Sequence, residues 1–198
     1  MPRSIEQYEA IRKQKKELIL NTALILFAEN GFHQTSMEQI AKKAGISKGL
    51  TYNYFESKNA ILDEILKKGF NAIYTHFDLN KDGLLTYSEF EFFIRESFNV
   101  ISKNRNFWKL YFSIIMQPVV TETYILNYSE TSAELMNILI RFLTENGSEN
   151  PSKDLFIISS LLKGAYLILV TSPVVMDEEL FVNYIIEGFQ RIINHKNN

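Results

Sequence analysis

Residues 36–58 read SMEQIAKKAGISKGLTYNYFESK. Ser36 followed three residues later by Gln39 has the spacing of a capping box, which starts a helix. Ile40, Ala41 and Ala44 then recur at helical spacing and give that helix an apolar face. Gly45 can take the left-handed backbone that ends it, and Ile46 plugs the angle that follows. Ser47 caps a second helix, predicted from Lys48 to about Phe55, and Ser57 caps a third. Two short helices about a glycine turn form a helix–turn–helix, whose second helix lies in the major groove of DNA.

The side chains of that second helix suit the task. Lys48 neutralises a phosphate or reaches a guanine edge. Gly49 lets the backbone approach closely, and Thr51 offers a hydroxyl and a methyl to base edges. Tyr52 and Tyr54 carry phenols suited to phosphate oxygens, while Leu50 and Phe55 are expected to face inward. Lys58, at the next helix start, adds a charge for a phosphate. Thr35 and Ser36 sit at a helix amino end, where hydroxyl and N–H groups hold phosphates, though capping alone accounts for them equally well.

Working outward, Leu18–Asn30 is amphipathic, with Ile19, Ala23, Leu26 and Phe27 as its inward stripe. Before it, Arg12, Lys13, Lys15 and Lys16 form either a basic arm on phosphates or a solvated first helical turn. Residues Leu18–Leu66, with Ala23, Asn30-Gly31-Phe32, the Ile40–Gly49 turn and the close Tyr52-Asn53-Tyr54-Phe55-Glu56-Ser57-Lys58, resemble the TetR family of bacterial transcriptional regulators. The resemblance covers about a quarter of the chain. It implies a DNA-binding head, a helical body that binds a small-molecule effector, and a homodimer on a double-stranded operator. It also implies that the long helix after Lys58 joins head to body and carries the switching motion.

Overall composition agrees. The net charge of −2 splits into +3 over residues 1–58 and −5 over the remainder, so the positive charge sits on the head. There is no Cys, hence no disulfide framework. The polar start MPRSIEQYEAIRKQKKE is no signal peptide, and the longest apolar run, residues 165–170, is too short to span a bilayer. A cytoplasmic protein with no membrane partner is therefore expected.

Residues 78–89, DLNKDGLLTYSE, hold a second motif. They fit an EF-hand calcium loop, with Asp78, Asn80 and Asp82 at positions one, three and five and Gly83 at the bend. Leu84 would give its carbonyl at seven, Leu85 is the apolar residue at eight, Thr86 acts through water at nine, and Glu89 is bidentate at twelve. The competing reading is a plain connector, with Thr86 and Glu89 as a capping box. No cofactor is required by the sequence, and calcium is the metal this pattern suits.

Beyond the loop the chain reads as helix throughout. We therefore expect an all-α protein of about nine helices, with a head over 1–57 and an effector-binding and dimerisation body over 58–198. Trp108, Tyr111, Phe112, Met116, Tyr128 and Tyr166 are candidates for an apolar effector pocket, and plain core residues otherwise. No nucleophile–base pair or phosphate-cradling loop is present, which argues against an enzyme. A calcium-responsive interaction protein, with the head as a partner-binding hairpin, is the rival to the DNA-binding regulator, and a hybrid regulator modulated by calcium is the other alternative.

Overall fold

In the computed structural model, residues 5–78, 80–172 and 177–193 are described. Among them are nine α-helices and no strand: α1 Ile5–Asn30, α2 Met37–Lys43, α3 Lys48–Tyr52, α4 Lys58–Tyr74, α5 Tyr87–Lys103, α6 Arg105–Ile115, α7 Pro118–Glu145, α8 Pro151–Thr171 and α9 Glu178–Ile193. The all-α expectation is met. Residues 5–17 are the first turns of a longer α1, so Arg12, Lys13, Lys15 and Lys16 stand on a helix. Its outer turns lack an apolar stripe, so periodicity gave no sign of them.

The chain divides into two compact units. One comprises residues 1–69 with 110–124, the other residues 70–109 with 125–198. In the first, Ile19, Ala23, Phe27, Ile40, Ile61, Leu66 and Ile114 are buried completely. Each large apolar side chain buried in this way contributes about 1.5–3 kcal/mol. The segment from α6 into α7 is built into this unit by two polar ties. Gln117 donates Nε2–H to the Phe27 carbonyl at 2.8 Å and accepts the Phe32 N–H at 2.9 Å. Tyr111 donates its hydroxyl to the Leu66 carbonyl at 3.0 Å. Gln117 thus ties down the end of α1, giving the Phe32 N–H an acceptor and adding a second donor to the Phe27 carbonyl, which also accepts the Gly31 N–H at 3.1 Å.

The second unit has an aromatic core. Phe90 packs on Phe142 and Phe189 with ring centres 5.1 and 5.8 Å away, and Phe98 packs on Tyr166 at 5.2 Å. Thr86 and Glu89 form a complete capping box at the start of α5, and Asn150 caps α8 with Pro151 at its first position. Helix α8 is apolar enough by length and composition to cross a membrane, with a mean hydropathy of 1.7 over eighteen residues, only 28% of them buried. The longest-run criterion missed it, because single polar residues interrupt the run. Helix α9 also carries exposed apolar residues, Leu180 and Tyr184.

Candidate nucleic-acid interface

The reading helix α3 is held from both ends. Ser47 Oγ accepts the Leu50 N–H at 3.1 Å, and before the turn Ser36 and Gln39 exchange capping bonds of 3.2 and 2.7 Å. Gly45 takes φ +65° between them, a conformation that costs a non-glycine residue energy. The buried ring of Phe55 then fixes the chain that follows α3.

The outer face of α3 carries Lys48, Gly49, Tyr52 and Asn53, all exposed. The i, i+1, i+4, i+5 spacing places them on one side. Nothing in the chain lies within 4 Å of a Cβ added at Gly49, so an outside surface can approach the backbone there. Lys48 has a loose partner, Glu38, at 3.4 Å; an exposed pair of this kind contributes little and yields readily to a phosphate. Ser36 is exposed and accepts through its oxygen, which leaves its O–H to donate. Tyr54 is half-buried and lines a groove of about 480 Å³ with Tyr8, Arg12, Leu50 and Asn53. Asn53 is the residue the sequence reading passed over, although its spacing from Lys48 marks it. Its amide has the donor and acceptor that pair with an adenine edge.

Three expected contacts are corrected by the structure. Thr51 is 0% exposed, and its hydroxyl donates to the Ser47 carbonyl at 3.2 Å. It packs the inside of α3 and presents nothing to a base. Thr35 is likewise buried, with its hydroxyl on the Leu26 and Gly31 carbonyls at 3.2 and 2.9 Å. Lys58 donates to the carbonyls of Phe32, His33 and Thr35 at 2.9, 3.0 and 3.0 Å and lies 4.6 Å from the Phe32 ring centre. An ammonium has three protons, and all three are used to hold the turn between α1 and α2.

The candidate pocket residues are divided between the two units. Trp108, Tyr128 and Tyr166 lie in one unit, and Tyr111, Phe112 and Met116 in the other. Trp108 is buried and donates Nε1–H to the Val100 carbonyl at 3.1 Å. Tyr166 donates to Ser97 Oγ at 2.6 Å, which donates onward to the Ile94 carbonyl; burial pushes the Tyr166 phenol far above its ordinary range. Tyr128 stacks on Phe70 at 4.5 Å, Phe112 is half-buried, and Met116 is exposed. Along α7 no residue from Thr121 to Arg141 is buried.

The loop from Asp78 to Glu89 is compact. Gly83 N–H bonds Asp78 Oδ2 at 3.0 Å, Asp82 N–H bonds Asn80 Oδ1 at 3.2 Å, and Leu84 N–H bonds Asp82 Oδ1 at 2.8 Å. Glu89 accepts the Thr86 N–H at 2.9 Å. Among the described residues no three His, Cys, Asp or Glu side chains group as a metal-holding set.

Comparisons with known proteins agree with the helix–turn–helix. Residues 19–65 match the family model described as bacterial regulatory proteins, tetR family. An uncharacterised HTH-type transcriptional regulator of Bacillus subtilis, YuxN, is 46% identical over 63 residues, covering 32% of this chain and 22% of its own. The HTH-type transcriptional repressor KstR2 of Rhodococcus jostii is 27% identical over 133 residues, 66% of this chain and 65% of its own. The chain therefore spans about a fifth of the first relative and just under two thirds of the second. A TetR-like transcriptional regulator from Rhodococcus sp. RHA1 superposes with a TM-score of 0.69 at 17% identity, covering 96% of this chain and 97% of that one. None of these comparisons supports the calcium-responsive interaction protein. Residues 19–65 thus match the head of the tetR family of bacterial regulatory proteins, and the helices of the chain have the fold of a TetR-like regulator.

Proposed function

We propose that the protein is a ligand-responsive transcriptional repressor that binds a palindromic operator as a dimer and is released by a small apolar effector. The observation that carries the reading is the outer face of α3, where Lys48, Gly49, Tyr52 and Asn53 stand exposed together while Thr51 and Phe55 hold the helix from within. Lys48, Tyr52 and Ser36 serve phosphates, and Asn53 serves a base edge. Dimerisation is supported by α8 and α9, where Phe156 is 74% exposed, Ile168 49% and Tyr184 59%. Exposed apolar side chains of this kind on two helices are what a partner copy would cover, here as a four-helix bundle. Gly164 on α8 has no neighbour within 4 Å of an added Cβ, which gives a facing helix room to come close. An apolar effector is supported by the unburied run of α7, where Ile125 and Leu126 are exposed. No enzymatic step enters this reading.

The test is operator selection from a random duplex pool, followed by gel shift at several salt concentrations. Wild type is expected to select a palindrome and to lose affinity steeply with salt. Lys48→Ala and Tyr52→Ala should each weaken binding, with the salt slope falling by about one for the lysine. Unchanged affinity in the double variant, or the absence of any salt-dependent DNA binding, overturns the assignment.

A further inference from the structure

The loop between α4 and α5 is not used by the DNA-binding reading, and it carries the most specific unassigned pattern in the chain. Residues 78–89 place Asp, Asn, Asp, Gly, Leu, Leu, Thr and Glu at positions one, three, five, six, seven, eight, nine and twelve of a calcium loop. The structure keeps that register. Gly83 takes φ +73°, Leu85 at position eight is buried, and Thr86 at position nine caps α5. Asp78, Asn80 and Asp82 all fold over the same turn.

A plain connector explains the turn and the cap, but it leaves one atom without a role. Asp78 Oδ1 is fully buried and has no hydrogen-bond partner. Asp78 as a whole is half-buried and its Oδ2 accepts the Gly83 N–H, but a buried carboxylate oxygen without a donor is rare, and a cation would satisfy it. No side chain supplies one. Among the described residues no ion pair involves Asp78, Asp82 or Glu89, and Arg141 reaches only the Gly83 carbonyl, at 3.5 Å.

We propose that this loop is a calcium site, with Asp78, Asn80 and Asp82 binding through side chains, Leu84 through its carbonyl, Thr86 through water and Glu89 through both carboxylate oxygens. Glu89 reaches the metal by leaving the Thr86 N–H. The opposite half of the capping box, from Glu89 N–H to Thr86 Oγ1 at 3.2 Å, stays in place, so α5 keeps its start. Three carboxylates around a divalent ion leave one excess negative charge, with Lys81 next to the site in sequence. Calcium suits the loop better than magnesium, because a bidentate Glu and about seven oxygens exceed the strict octahedron that magnesium requires.

The test is calorimetric titration of the full chain with calcium chloride, paired with thermal unfolding and run without DNA, so it can fail while the repressor reading stands. Binding in the range of about 10 µM to 1 mM is expected, the weak end for a single loop. At ten times the dissociation constant the folding equilibrium shifts about elevenfold toward the folded state. Glu89→Gln retains capping chemistry and should fold with its calcium affinity reduced by about tenfold or more. Asp78→Asn keeps an oxygen for the Gly83 N–H and should lose affinity likewise. No heat from several millimolar calcium, an equal response to magnesium, or full affinity in Glu89→Gln each overturns the site.

Discussion

Substituting alanine for Gly69 tests how the head is assembled. A Cβ at this position would lie 2.2 Å from the Tyr111 Cε2 and Cζ atoms and 2.6 Å from its hydroxyl. The ring has little room to retreat, since Tyr111 is 2% exposed and its hydroxyl is fixed to the Leu66 carbonyl at 3.0 Å. In an open helix Gly→Ala stabilises by about 0.5–1 kcal/mol. Here overpacking costs about 1–3 kcal/mol, and moving the ring loses a hydrogen bond of about 0.5–1.5 kcal/mol. Gly69→Ala should therefore destabilise by about 1–3 kcal/mol net. In a Tyr111→Val background the side chain ends at its γ-methyls, and the same Gly69→Ala change should stabilise by about 0.5–1 kcal/mol. The coupling between the two sites is then about 1.5–4 kcal/mol. Urea unfolding followed by circular dichroism on the four proteins, with m unchanged, measures it. A neutral or stabilising Gly69→Ala in the wild type, or an equal cost in both backgrounds, refutes the packing argument.

Lys58→Met should lower stability by about 1–3 kcal/mol, because three charged hydrogen bonds at a partly exposed site are lost, and should leave the salt slope of operator binding unchanged; a slope lowered as in Lys48→Ala would return Lys58 to the DNA contacts. Tyr166→Phe should flatten the alkaline loss of stability. Burial, opposed by the Ser97 bond, raises the folded phenol above its ordinary pKa, so this contribution is complete below about pH 10 and is lost as pH rises beyond it; denaturation midpoints across that range read the slope, and Tyr74, also raised by burial, retains part of it. A fragment of residues 1–69 should unfold more readily than the head in the intact chain, since it lacks Tyr111, Ile114 and Gln117; equal hydrogen-exchange protection of its α1 amides would contradict this.

What the sequence made legible is local. The caps at Ser36, Ser47 and Thr86 have partners three residues away, and a three-residue offset is visible in a string. The apolar stripes of α1 and α4 are visible for the same reason. The misplaced residues have distant partners. Lys58 reads as a helix-start lysine, and only the folded chain brings the carbonyls of Phe32, His33 and Thr35 to it, 23–26 positions away. Thr35 finds Leu26 nine positions back. Thr51 fails for a subtler reason: a helix of five residues is too short for periodicity to separate its two faces. Tyr111 and Gln117 sit in a stretch that reads as body, yet their partners are Leu66, Phe27 and Phe32.

These corrections alter how specificity must arise. With Thr35, Thr51 and Lys58 committed inward, each head offers Lys48, Tyr52 and Asn53, with Ser36 at the edge. A good base contact discriminates by about 1–3 kcal/mol, and only Lys48 and Asn53 have side chains suited to a bidentate one. One head therefore falls short of, or barely reaches, the about 4–10 kcal/mol that separates specific from non-specific binding. Two heads on a two-fold site double the contacts without adding a residue, provided something fixes their spacing to the helical repeat of DNA. In the proposed dimer, the exposed apolar residues of α8 and α9 are the candidates for the contact that does so. In the proposed mechanism, an effector that alters this spacing would cost both heads their register at once.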